Sequence, residues 1–209
     1  GTANAIAQGV GVPNDIEAAC ELIASEDKMI KQLDAIKIED KYYLLQVGIG
    51  IESATMQNTP RRFKQLAGVF AYVTTAIKEA AEWEAQPYTL KVDGKTYDIE
   101  AAELVIANLA DVGVMDLKWH EEIRPDDGKL DIVIVRAKNI LDYGKVLTAL
   151  TEGKTVSSDY IEFLTAEEEI EITMSQEKPV HGDGEVLEDV LPLRASVAKG
   201  VVPVFVPSE

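Results

Sequence analysis

The chain has 209 residues, 46% of them hydrophobic, 6% aromatic and 27% charged. Its 20 Lys and Arg stand against 37 Asp and Glu, a net charge of −17. That balance argues against a nucleic-acid backbone or a polybasic membrane contact, since both reward clustered cations. A chain this long buries about 70% of its unfolded surface and needs no covalent staple, and the single cysteine, Cys20, excludes an internal disulfide framework and fits a reducing compartment. No apolar run approaches the ~20 residues that span a bilayer. The opening GTANAIAQGV has neither a charged n-region nor a continuous apolar h-region. It reads as a cut in a longer polypeptide, in a cytoplasmic protein.

In chain order, the opening segment reads as loop and short helix up to Gly11-Val12-Pro13. Asn14 or Asp15 then caps an amphipathic helix whose Ile16, Ala19, Leu22 and Ile23 form an apolar stripe, expected to pack on the core. Two strands follow, near 30–38 and 41–50, joined by a polar turn at Glu39-Asp40. Gly48 and Gly50 inside the second apolar run mark either a bulge or a close backbone approach. Thr59-Pro60 opens a long helix reaching about Trp83, with Phe63, Leu66, Phe70, Val73 and Ile77 on one face. Arg61, Arg62 and Lys64 cluster at its start, either a solvated helix end or a contact for an anionic lipid or nucleotide.

Asp93-Gly94 lies between YTLKV and KTYDI, the signature of a two-residue type I′ hairpin. The register puts Tyr88 opposite Ile99 and Leu90 opposite Tyr97 on one face, with Thr89–Asp98 and Lys91–Thr96 on the other. Leu104–Ile106 and Ile132–Val135 are apolar at both parities, as strands buried on both faces are. Asn139 caps a short helix closed by Gly153. Strands are expected at Tyr160–Leu164, across Ile170, Ile172 and Met174, and in the final VVPVFV run, whereas 179–190 reads as loop. Strand following strand favours a mainly β, antiparallel two-sheet sandwich with about three peripheral helices.

No metal-ligand spacing surrounds His120 or His181, and no nucleophile elbow or phosphate loop occurs. Three polar clusters remain. Gly1-Thr2-Ala3-Asn4 offers a hydroxyl and an amide to a phosphate or ribose. Pro125-Asp126-Asp127-Gly128-Lys129-Leu130-Asp131 is a turn that either holds a hard divalent cation through oxygens or is an ordinary aspartate-glycine turn. His181-Gly182-Asp183-Gly184-Glu185 presents two acids that could meet nucleotide-borne Mg²⁺ or accept a hydroxyl proton, or else forms a hairpin tip.

In order and spacing these clusters resemble the C-terminal half of bacterial diacylglycerol kinase and sphingosine kinase-like lipid kinases. Thr2 and Asn4 stand in its Gly-Thr-x-Asn segment, followed by Gly11-Val12-Pro13. Val47-Gly48-Ile49-Gly50-Ile51-Glu52 is similar to its apolar-glycine strand, Pro125–Asp131 to its Pro-x-Asp-Gly-x-Leu-Asp turn, and Asp183-Gly184-Glu185 to its Asp-Gly-Glu. The stretch LADVGVMDLKW, 109–119, departs from the glycine-rich segment of the family.

The resemblance implies ATP-dependent phosphorylation of a lipid hydroxyl in a cleft between two lobes. Residues 1–209 would be the β-sandwich lobe, with the nucleotide-binding N-terminal lobe outside this chain and the fragment inactive alone. Thr2 and Asn4 would line the nucleotide side. Glu185 and Asp183 would face the transferred phosphoryl group and its Mg²⁺. Asp126, Asp127 and the Lys129 carbonyl would form a structural Mg²⁺ site. Expected partners are a lipid at a membrane surface and the missing lobe; nucleic acid is not expected, and a homodimer is left open. Alternatives are a non-catalytic lipid- or protein-binding sandwich and a kinase of a soluble acceptor such as a nicotinamide dinucleotide.

Overall fold

The computed structural model describes residues 4–50, 85–112, 117–151 and 159–208. The expected helix at 60–83, with Arg61, Arg62 and Lys64, lies outside them, as do Thr2, Glu52 and Gly153. The described elements are α1 (Ala5–Gly9), α2 (Ile16–Ala24), β1 (Lys28–Ile38), β2 (Lys41–Tyr43), β3 (Gln46–Ile49), β4 (Gln86–Val92), β5 (Lys95–Ala101) and β6 (Glu103–Ala107). They continue with β7 (Leu130–Val135), α3 (Ile140–Thr151), β8 (Ile161–Ala166), β9 (Glu169–Met174), β10 (Val180–Gly182), β11 (Glu185–Leu187) and β12 (Leu193–Pro207).

Two six-stranded antiparallel sheets face each other. One runs β2-β1-β12-β9-β4-β5 and the other β11-β10-β3-β6-β7-β8. The mainly β, two-sheet sandwich read from the sequence is the observed architecture. Alternation explains the first sheet: Leu90, Ile170, Ile172 and Leu193 point into the inter-sheet core, while Lys91, Glu171 and Arg194 form a cross-strand ion-pair ladder on the outside. The second sheet is buried on both faces. Leu104, Ile106, Ile132 and Ile134 fill the inter-sheet core. Val105, Val133, Val135 and Ile161 face the other way, under Trp119, Ile123 and Val146 and Leu150 of α3. This is why β6 and β7 read as unbroken apolar runs.

The Asp93-Gly94 hairpin has the expected register, Tyr88 opposite Ile99 and Leu90 opposite Tyr97. Asp93 and Gly94 both take positive φ, as a type I′ turn requires. Asp15 caps α2 by accepting from Ala18 N at 2.9 Å, and Asn139 Oδ1 accepts from Leu141 N and Asp142 N at the start of α3.

Three expectations are corrected. Residues 179–190 are not loop: they contain the β10–β11 hairpin. The final strand begins at Leu193, and its first half pairs with β9 while its second half pairs with β1 alone. Helix α2 buries none of its residues, leaving Ile16 81% and Ile23 58% exposed. An apolar stripe identifies a face that wants cover, but says nothing about whether the chain itself supplies it.

Candidate functional site

The site is built on the β10–β11 hairpin, where Gly182 pairs with Glu185 across an Asp183-Gly184 turn. Both turn residues have positive φ, 49° and 90°, so this is a second type I′ turn. The Asp183 carboxylate holds it against the β2–β3 linker. Oδ2 accepts from Leu44 N at 2.7 Å, and Oδ1 accepts from Leu45 N at 2.9 Å and Gln46 N at 3.0 Å. Asp183 N donates to Gln46 O, closing the clamp. Charge-assisted bonds to three consecutive amides make this a rigid anchor.

The same device recurs at the other Asp-Gly turn. Asp93 Oδ2 accepts from Glu167 N, and Oδ1 accepts from Glu168 N and Glu169 N, at 2.8–2.9 Å. Asp183 thus does at its turn what Asp93 does far from any candidate chemistry. With both Asp183 oxygens engaged by backbone, the exposed Glu185 is the carboxylate of this pair that remains open to a ligand.

Two close approaches set the hairpin's position. A Cβ on Gly48 would lie 2.3 Å from His181 Nε2, which is fully buried. A Cβ on Gly182 would lie 2.5 Å from the Tyr43 ring. At Gly48 there is no bulge, since β3 pairs with β6 and β10 without a register shift, and what approaches is a side-chain ring; the close backbone approach read from the sequence occurs at Gly50, where a Cβ would lie 2.8 Å from Ala102 O. The buried Tyr43 phenol is pushed above its ordinary pKa, first by desolvation and then by the carboxylates of Asp183, Glu185 and Glu39. Burial is the larger cause, and the three carboxylates add to it.

The linker that Asp183 clamps shares a packing cluster with α1. Leu45 and Ile6 of α1 each pack against the small cluster of Val10, Leu33, Leu109 and Val206. Asn4 is exposed and left-handed, with its carbonyl accepting from Gln8 N.

The aspartate turn is held by a residue that sequence reading missed. Asp34, buried at a bulge in β1, accepts from Gly128 N through Oδ2 and from Gly200 N through Oδ1, both at 2.7 Å. Its own N donates to Pro125 O at 2.6 Å. Asn108, also missed, donates from Nδ2 to Asp34 O and Leu44 O, both at 2.9 Å. For Asn108 the signal was present, a lone polar side chain within the apolar run 104–110, which when buried must have partners; Asp34, with Lys31, Gln32 and Lys37 around it, carries no such mark.

Within the turn, Asp126 ion-pairs with Lys31 at 3.0 Å and Arg124 at 3.5 Å. Asp127 Oδ1 accepts from Lys129 N at 3.0 Å, and Lys129 Nζ reaches Glu167. Desolvation raises the Asp131 pKa, with the Thr165 hydroxyl bond acting against it and Asp127 adding to it. Among the described residues no group of three or more His, Cys, Asp or Glu has the geometry to hold a metal ion. His120 is a packing residue, edge-on to Phe163 with its Nδ1 accepting from Glu122 N.

Comparison with known proteins agrees with this architecture. A Staphylococcus carnosus protein provisionally named a lipid kinase is 29% identical over 180 residues, covering 85% of this chain and 56% of that protein. The Staphylococcus haemolyticus diacylglycerol kinase is 24% identical, covering 88% and 55%. An uncharacterized Synechocystis protein is 27% identical over 214 residues, 100% of this chain and 48% of its own. The chain therefore spans about half the length of the curated relatives it matches. A crystal structure of a Bacillus anthracis protein, provisionally named a diacylglycerol kinase, superposes with a TM-score of 0.77 at 26% identity over 97% of this chain and 65% of that one. A second from the same organism gives 0.74 at 25%. The family model described as the YegS C-terminal NAD kinase beta sandwich-like domain matches residues 46–206. The chain belongs to that family, a β-sandwich domain of diacylglycerol kinase-like proteins.

Proposed function

We propose that this chain is the acceptor-side lobe of a two-lobe kinase that transfers phosphate from ATP to a lipid hydroxyl, diacylglycerol or a close analogue. The observation that carries the reading is Glu185: an exposed carboxylate on a turn locked by Asp183, in a chain whose relatives bear kinase names. Phosphoryl transfer is mainly positioning and charge stabilisation, and a base must hold a fixed place relative to the hydroxyl it deprotonates. Glu185 accepts the proton of the acceptor hydroxyl, while Asp183 fixes the backbone that carries it. Asn4, at the start of α1, and Thr2 would serve the nucleotide side, the role that the resemblance to the family gives them.

When bound, Mg²⁺–ATP would supply the electrophilic γ-phosphoryl group, and the carboxylates of Glu185 and Glu39 near Tyr43 would attract its metal rather than its bare phosphates. The donor set of the aspartate turn fits a second Mg²⁺ in part. Asp126 Oδ1 is buried and accepts no hydrogen bond, so a hard cation would satisfy it, alongside Asp127 and the Lys129 carbonyl. Lys31 and Arg124 already balance that charge, so binding there is weak. The lobe is cytoplasmic and meets its substrate at a membrane surface; among the described residues no helix is long and apolar enough to cross one.

The test uses the longer polypeptide that contains this chain, assayed with labelled ATP against diacylglycerol, a sphingoid base and nicotinamide dinucleotide. Lipid phosphorylation is expected, reduced at least a thousandfold by Glu185→Gln with the melting temperature unchanged. Full turnover in that variant would sink the reading. Turnover on the dinucleotide alone would move the protein to the soluble-acceptor class, for which the NAD kinase-like sandwich is the supporting observation.

A further inference from the structure

Leu44 and Leu45 link β2 to β3 and lie outside both strands, so the orientation of their peptide groups is set by what grips them. The Leu44–Leu45 peptide is held on both sides: Leu44 O accepts from Asn108 Nδ2 at 2.9 Å, and Leu45 N donates to Asp183 Oδ1 at 2.9 Å. The next peptide repeats the arrangement. Leu45 O accepts from Asn108 N at 3.0 Å, and Gln46 N donates to Asp183 Oδ1 at 3.0 Å. Hydrogen bonds at the two ends of one peptide polarise each other. Neither peptide can rotate away from Asp183 without also leaving Asn108.

Asn108 reaches in the opposite direction as well. Its Nδ2 also donates to Asp34 O at 2.9 Å, and Asp34 is the bulge residue whose two carboxylate oxygens hold Gly128 N of the aspartate turn and Gly200 N of β12. A primary amide has two hydrogens, and here one serves each carbonyl. Aspartate could donate to neither, and a serine or threonine hydroxyl to only one. The residue is 1% exposed, so a donor lost at this point leaves a carbonyl without its partner in the interior. One unbroken set of hydrogen bonds therefore joins the aspartate turn, Asp34, Asn108, residues 44–46 and Asp183.

We propose that Asn108 is a positioning residue that couples the aspartate turn to the Glu185 turn. The firmness with which Asp34 holds the first turn then sets the firmness with which Asp183 holds the second. The inference rests on the kinase reading only in taking Glu185 as the carboxylate to be fixed; the coupling itself is independent of the chemistry. It gives the aspartate turn a part in the site that needs no contact with substrate. Coupling of this kind is reciprocal, so a disturbance introduced at either turn is felt at the other.

Amide hydrogen exchange of the 209-residue chain tests it, with the β4–β5 ladder as the control for general loosening. Asp34→Asn is expected to speed exchange of the Leu44, Leu45 and Gln46 amides at least tenfold while the control stays within twofold. Asp183→Asn should do the same to the Gly128 and Gly200 amides. In an Asn108→Leu background, Asp34→Asn should add nothing at residues 44–46, as a double-mutant cycle requires of the residue that carries the coupling. Unchanged exchange at the distant turn, equal acceleration of the control, or a full Asp34→Asn effect without Asn108 each overturns the proposal. If Asn108→Leu does not fold, the reciprocal pair Asp34→Asn and Asp183→Asn decides. In the longer polypeptide, Asp34→Asn should lower kcat at least threefold with KM for ATP unchanged, and an unaltered kcat overturns the positioning role. Coupled exchange with no lipid turnover even in the unsubstituted polypeptide defeats the kinase reading alone; turnover without coupled exchange defeats this inference alone.

Discussion

Two aspartates with matching surroundings separate structure from chemistry at the level of single residues. Asp93 and Asp183 each follow a β-strand, adopt positive φ before a glycine, and gather three consecutive amides. For Asp93, partial desolvation raises the pKa, but the bonds from Glu167, Glu169 and Glu168, with Lys199 nearby, outweigh it and leave the carboxyl below its ordinary value. A depressed folded pKa stabilises the fold above the unfolded value of about 3.9, and that stabilisation is lost as pH falls through the lower folded value. Asp93→Asn is therefore expected to cost no more than about 1 kcal/mol at pH 7, since solvent screens an exposed carboxylate, and progressively less below about pH 4. Urea unfolding of both proteins across pH 3 to 7 measures it; a pH-independent difference would mean that the carboxylate charge has no part in the clamp. The Asp93-Gly94 turn was the most legible feature of the sequence, because flanking alternation and αL chemistry agree there; Asp183-Gly184 was read as a hairpin tip only as the alternative to an acidic site, within a stretch taken for loop. What their side chains bind was not legible: both sets of amides come from segments distant in the chain, over 70 residues away for Asp93 and over 130 for Asp183.

Elements were read well where a single rule governs them and poorly where two compete. The β4–β5 register followed from alternation and turn chemistry together. The β10–β11 hairpin has the same turn but strands of three residues, too short for a period to show. Its placement depends on glycines whose role only the partner strand discloses. Gly48 on β3 lets the buried His181 ring of β10 lie against the backbone, which is the reason an apolar strand carries a glycine there. Gly48→Ala would push a methyl group into that ring. Because backbone on one side and a fully buried ring on the other leave little room to yield, a loss of about 1–3 kcal/mol is expected. Gly94→Ala, which meets no atom within 4 Å but sits at φ 78°, should cost only about 1 kcal/mol of backbone strain. Thermal unfolding of the two variants ranks them; a harmless Gly48→Ala would show that β10 can shift away from β3, and with it the Glu185 turn.

At the scale of the whole molecule the decisive quantity is the charge imbalance. The chain carries 37 acids against 20 bases, and among the described residues several of those bases are already committed to ion pairs, such as Lys31 with Asp126 and Arg194 with Glu171. Exposed pairs of this kind contribute little, around 0–1 kcal/mol each, while the excess carboxylates repel one another in the compact state. Salt weakens both the pairs and the repulsion, with opposite consequences for stability, and the longer-range repulsion is screened within a Debye length of about 8 Å at physiological ionic strength. Repulsion outweighs the pairs here, since a surplus of 17 negative charges has no cation to meet. Raising sodium chloride from about 10 to 150 mM shortens the Debye length from roughly 30 to 8 Å and is expected to raise the melting temperature by several degrees. A fall over that range would mean that the cross-strand ladder of Lys91, Glu171 and Arg194, rather than net repulsion, dominates the electrostatics of the fold. The same imbalance bears on the proposed activity. An acidic lobe is repelled by an anionic bilayer, so a lipid acceptor reaches Glu185 only if attraction to the membrane comes from the companion lobe or from the cationic cluster of Arg61, Arg62 and Lys64.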